Sequence, residues 1–161
     1  MAKPIKTYIP HIVVFISAMG IMIIELVASR IISKYFGNSL YTWTGIIGIV
    51  LGGISLGNFL GGRFADRYPA EKAAPVLLLT ASGLTLLLLV LDIVLSLAMA
   101  GVSFQRPVVM ILSAVGVIAL LFFLPSTALG TISPVMAKYA LIQSEKIGST
   151  VGNIYASSAA G

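Results

Sequence analysis

The chain has 161 residues, of which 58% are hydrophobic and 9% charged, with a formal net charge of +5 and a mean hydropathy of +1.07. Soluble domains carry about 25% charged residues, so this composition excludes an ordinary water-soluble enzyme domain. With no cysteine, disulfides and thiolate metal sites are excluded too, and the ten Lys and Arg fall singly between apolar runs rather than in the patch that nucleic acid requires.

A helical crossing of a bilayer needs about 20 mostly apolar residues. Runs of that length predict an all-α, polytopic transmembrane bundle of four or five helices in a single domain, residues 1–161. The first helix is expected over about Ile9–Ser33. Met1–Lys6 and the apolar run after it superficially resemble a signal peptide. The run holds Glu25 and Arg30 and lacks a small-residue cleavage site, so a retained helix is expected. A charge at the bilayer centre costs at least about 2.5–3.5 kcal/mol on insertion scales, which makes these two side chains candidates for an ion pair or a substrate or proton site. Five residues apart, they sit too far round one helix for ideal pairing, and partners on other helices are the alternative. His11, single and beside Pro10, does not make a metal site.

The second helix, about Leu40–Gly62, carries two series of glycines, Gly45, Gly48 and Gly52, then Gly53, Gly57 and Gly61. Helices associate in lipid through close backbone approach, which small residues at four-residue spacing permit, so both faces are expected to be contacted, within one bundle or between copies. Tyr35, Tyr41 and Trp43 flank its start as an interfacial belt. The turn that follows is expected to hold a charge cluster, Arg63, Asp66 and Arg67, either as a topological anchor or as a lock between helices.

The third helix is expected over about Ala73–Ala100, with Asp92 standing alone near one interface, either solvated or facing a cavity or partner chain. The fourth, about Pro107–Tyr139, contains Pro125, Gly130 and Pro134, which invite a kink or a break and free carbonyls for a binding site. A shorter fifth stretch, Ile147–Gly161, is rich in Gly, Ala and Ser.

Orientation follows from basic residues, which accumulate on the cytoplasmic side. Lys3, Lys6, Arg63, Arg67, Lys72, Lys138 and Lys146 share one side, against Arg30, Lys34 and Arg106 on the other. The N-terminus is therefore expected inside, in a bacterial or archaeal plasma membrane.

The Gly, Asp, Arg pattern after the second helix is similar to the loop between helices two and three of major facilitator transporters. A wider similarity runs through Glu25-Leu26-Val27-Ala28-Ser29-Arg30, Tyr35-Phe36-Gly37-Asn38-Ser39-Leu40-Tyr41-Thr42-Trp43-Thr44, Leu56-Gly57-Asn58-Phe59-Leu60-Gly61-Gly62-Arg63-Phe64-Ala65-Asp66-Arg67, Leu124 to Pro134, and Val151 to Gly161. In that order these segments resemble the membrane domain of the spermidine-synthase-like family, in which a facilitator-like membrane part is fused to a synthase. The family's soluble aminopropyltransferase-like domain has no counterpart here, and no glycine-rich βαβ unit is present. Polyamine synthesis by this chain alone is not expected, nor any other enzyme activity, because no nucleophile, base and metal constellation appears. No cofactor or metal is expected. The resemblance implies a transporter-like membrane unit acting as a homo-oligomer or with other membrane subunits. The alternatives are a non-transporting accessory subunit and a carrier of a small cation such as a polyamine, with Glu25 as counter-charge.

Overall fold

The computed structural model describes residues 4–101, 104 and 106–161, and all of its regular structure is helical. The elements are α1 (Pro4–Phe36), α2 (Leu40–Arg67), α3 (Ala70–Ala98), α4 (Pro107–Gly130), α5 (Ile132–Ile142) and α6 (Ile147–Ala160). Four stretches, Tyr8–Phe36, Leu40–Arg67, Ala70–Ala98 and Pro107–Ile142, are long and apolar enough to cross a membrane. The protein is an integral membrane helical bundle. At 14 residues, α6 rises about 21 Å at 1.5 Å per residue, short of the roughly 30 Å hydrocarbon core.

Both ends of α1, the C-terminal end of α2 and the start of α3 lie beyond the apolar runs that announce them. A run of greasy side chains marks the depth of the hydrocarbon, whereas the backbone stays helical into the headgroup region until a specific signal stops it. At the end of α1 that signal is Gly37, whose φ of 74° places it in the left-handed region that glycine adopts without strain, with its N–H donating to Ser33 O. Two residues on, Ser39 caps α2 reciprocally: its hydroxyl accepts from the Thr42 N–H at 3.2 Å and its own N–H donates to Thr42 Oγ1 at 3.0 Å. α2 ends only at Arg67, because Pro69 disfavours helical geometry at Tyr68, which is extended at φ −123°, ψ 147°. Pro69 then caps α3, and Glu71 sits in its first turn, where the helix dipole favours an acid.

α4 is the hub. It packs against α1, α2 and α3, and its contact with α2 is the most extensive in the molecule. Phe122, Ile118 and Ser126 of α4 are wholly buried, together with Val14 and Ile32 of α1, Val50 of α2 and Val135 of α5. α3 lies at the periphery. Ala70, Ala74, Ala81 and Leu88 form its buried stripe, while Leu79, Leu86, Leu89 and Leu97 are among its exposed residues, as suits a helix whose outer face meets acyl chains.

The glycines of α2 divide sharply. Cβ atoms built at Gly53 would stand 2.9 Å from Phe123 O, and at Gly57 2.9 Å from Gly130 Cα with Thr127 O nearer still. At Gly61 a Cβ would stand 2.7 Å from Pro134 Cγ, with Thr131 O also too close. Backbone therefore meets backbone along this face. Within the chain only one of the two expected faces is contacted: a Cβ at Gly48 meets nothing within 4 Å, one at Gly52 only grazes Phe123, and both residues are exposed. Gly45 lies between, against Ile118. The reason is angular, since Gly53, Gly57 and Gly61 repeat every four residues on the buried line that Ile46 and Val50 extend, and Gly48 and Gly52 lie off that line.

Candidate functional site

Antiparallel packing brings the polar groups of this apolar chain together at three depths. At one rim, Lys34 on α1 pairs with Asp92 on α3 at 3.1 Å, and Tyr35 donates its hydroxyl proton to the other carboxylate oxygen at 3.3 Å. Asp92 is thus not alone, as hydropathy alone implied, but clasps α3 to α1. The lysine side chain is 55% exposed, so the clasp is a partly solvated pair. Phe36, next in the chain to Tyr35, packs against Phe104 in a tilted arrangement, ring centroids 5.5 Å apart. Tyr41 and Trp43 are exposed at the start of α2, in keeping with an interfacial position.

The opposite rim carries the N-terminal end of α1 and the ends of α2 and α5. Here Arg63, Asp66 and Arg67 belong to the last turns of α2 rather than to a loop. Asp66 forms no ion pair with either arginine: among the described residues the recorded ion pair is Lys34–Asp92. Arg63 instead lies over the Phe59 ring one turn back, 3.6 Å from its centroid, a cation–π contact along the helix surface. The tie between helices at this rim comes from Lys138 of α5, whose ammonium donates to the carbonyl of Ala65. That carbonyl lies in the last turn of α2, where backbone oxygens lack intrahelical donors and a cation complements the dipole. Sequence reading named the acid and the arginines and missed Lys138; the signal was a lone lysine seven residues past the Thr131 break, two turns along α5.

Between the rims lies a cavity of about 540 Å³, lined by residues of α1, α2, α5 and α6 with Gly130 at the end of α4. Glu25 contributes the only charged side chain of its lining, with Asn58, Ser133, Ser158 and Tyr155 as polar company and Met22, Ile54 and Ile154 among the apolar walls. Glu25 stands 14 residues along α1 from His11 and nine before Lys34, about 21 Å and 14 Å along the axis at 1.5 Å per residue. It is therefore well inside the hydrocarbon. The expected pairing with Arg30 does not form. Five residues of α-helix turn the two side chains about 140° apart at 3.6 residues per turn, and Arg30 is exposed while Glu25 faces the cavity.

The chain matches no family model, no curated protein and no solved structure. Its chemistry is therefore read from the site itself.

The cavity floor is shaped by the interruption between α4 and α5. Pro125 lacks the N–H that would reach Leu121, and Pro134 lacks the one that would reach Gly130. Gly130 and Pro134 both line the cavity, so the interruption itself forms part of the wall. The interruption is a single residue. Thr131 keeps right-handed helical angles, φ −66°, ψ −20°, its N–H is shared between Thr127 O and Ala128 O, and its hydroxyl donates to Ala128 O at 2.6 Å. Ser17 of α1 adds an interhelical tie, donating to Leu129 O at 3.1 Å. The sequence alternatives of kink and break resolve into two helices stacked nearly end to end. Ser126, buried one residue after Pro125, has no hydrogen-bond partner. Among the described residues no cluster of three His, Asp or Glu suits a metal ion.

Proposed function

We propose that the chain is a solute-binding unit of a membrane transport assembly, and that its cavity accepts a small organic cation against Glu25. One observation carries the reading: a carboxylate that has no ion-pair partner among the described residues lines a cavity of about 540 Å³ deep within a membrane-spanning helix. Ionisable groups at such depth are costly and are retained where they serve a ligand or a proton. One carboxylate, an amide, hydroxyls and apolar walls fit an alkylammonium better than a hard metal ion, which takes six or more oxygens. They also fit one ammonium better than several, so a monoamine suits the cavity more closely than a polyamine. The resemblance to the spermidine-synthase-like membrane domain supports a transporter-like setting, and the excess of basic residues on the rim that holds the N-terminus supports a cytoplasmic N-terminus.

Purified protein in mild detergent is titrated with butylammonium, spermidine and butanol, with thermal unfolding and calorimetry as readouts. Butylammonium is expected to bind and stabilise, butanol not, and Glu25→Gln to abolish the difference. Equal responses to butylammonium and butanol, or a Glu25→Gln variant that binds the amine like the parent, would overturn the reading.

A second reading, a non-transporting accessory subunit, draws on the exposed Gly48 and Gly52 on α2, where another helix can approach closely. Leucine at both positions is expected to change the mass of the complex purified in mild detergent if that face binds a partner, and to leave amine binding intact.

A further inference from the structure

A second, smaller cavity, about 200 Å³, lies at the rim that holds the N-terminal part of α1, where that helix meets the end of α5 and the start of α6. Its chemistry is opposite to that of the Glu25 cavity. Among the described residues no carboxylate lines it, and its polar wall consists of His11, Gln143, Ser144, Lys146, Ser149, Thr150 and Asn153. The hydrogen bonds within this wall leave donors directed elsewhere. Thr150 donates its hydroxyl proton to Lys146 O at 2.7 Å and lies 2.8 Å from Ser144 Oγ, so these hydroxyls are committed to one another, and the side-chain amides of Gln143 and Asn153 are the donors left to a ligand. Lys146 brings a full positive charge.

We propose that this cavity binds a phosphate group, as the headgroup of an anionic phospholipid or as a free anion. Lysine serves as a point charge for phosphate, and the side-chain amides of Gln143 and Asn153 add neutral donors for its acceptor oxygens. Basic pockets between transmembrane helices at the membrane edge are where anionic headgroups dock. A headgroup is the favoured source, because Ile142 and Ile147, the sequence neighbours of the lining residues Gln143 and Lys146, are 72% and 70% exposed and offer apolar surface to acyl chains beside the polar wall.

The test uses the full chain in mild detergent, with native mass spectrometry and equilibrium titration of three probes: phosphatidylglycerol, phosphatidylcholine with the same acyl chains, and inorganic phosphate. Phosphatidylglycerol is expected to bind more tightly than phosphatidylcholine. Lys146→Gln is expected to weaken it about fivefold, the effect of one basic residue at an anionic surface, and Asn153→Ala to weaken it further. Arg67→Gln, at the same rim but outside the cavity, is expected to leave it unchanged. Saturable binding of inorganic phosphate that Lys146→Gln weakens equally supports the site with a free anion as its ligand. Binding without preference for phosphatidylglycerol and without phosphate binding, or equal losses in Lys146→Gln and Arg67→Gln, overturns the proposal. Lys146 and Asn153 are exposed, so neither substitution threatens the fold, and neither touches the Glu25 cavity.

Discussion

Replacing Gly57 by alanine tests the claim that backbone contact between α2 and α4 holds the bundle. The added carbon would stand 2.9 Å from Gly130 Cα, with Thr127 O closer, whereas carbon atoms rest about 3.5–4.0 Å apart. Both neighbours are backbone, so no side chain can turn aside and the helices must separate by about 0.6–1 Å. A gap of that size forfeits a quarter to a half of each dispersion contact across the interface, and overpacking in a filled core costs about 1–3 kcal/mol. Gly48→Ala supplies the control, because its new methyl meets nothing and alanine favours helix over glycine by up to about 1 kcal/mol in water. Unfolding in mixed micelles, followed by far-ultraviolet circular dichroism as the fraction of denaturing detergent rises, compares the two. Gly57→Ala is expected to unfold at a clearly lower fraction than the parent and Gly48→Ala at the same or a higher one. Coincident transitions for the two variants would refute the assignment of the packing face.

Other outcomes follow from the ties between helices. Ser39→Ala removes a reciprocal cap and is expected to cost about 1 kcal/mol in the same unfolding assay. Asp92→Asn breaks a partly exposed pair and is expected to cost under about 1 kcal/mol, with faster hydrogen exchange in the outer half of α3 as its clearer mark. Ser126→Ala deletes a buried hydroxyl that has no partner, and is expected to be neutral or to stabilise by up to about 1 kcal/mol, because desolvating that group was unrewarded. Lys138→Met keeps the aliphatic stem but removes the charge at the end of α2; it is expected to raise protease or exchange susceptibility at Phe64–Tyr68 while leaving α1 untouched.

Hydropathy made the helices readable because the length of an apolar run is tied to bilayer thickness, a one-dimensional quantity that one sequence carries. It misplaced helix ends by several residues, as at Arg67, because charged residues remain helical outside the hydrocarbon and only Gly37, Ser39 and Pro69 mark true stops. Choosing between the glycine faces of α2 needed the third dimension, since spacing tells which residues share a line and not which line meets another helix. The same gap explains the polar groups. Glu25 and Arg30 are neighbours in the chain but not on the helix surface, while Lys34 and Asp92, 58 positions apart, meet because two helices end at one rim. Lys138 found the end of α2 through a stacking of α5 on α4 that no local motif announces.

The alanine stripe of α3 has a bearing on the order in which the molecule comes apart. Held by small side chains and by one clasp at one rim, and facing lipid with its leucines, α3 has the least buried apolar surface to lose among the long helices. Its detachment is the lowest-cost opening of the bundle, as regions with few buried contacts open first. Such a step leaves α1, α2, α4, α5 and α6 joined through glycine contacts, the Ser17 bridge and the packing of α6 on α1 and α5, a five-helix remnant that keeps its Glu25 cavity while its outermost helix drifts in the bilayer.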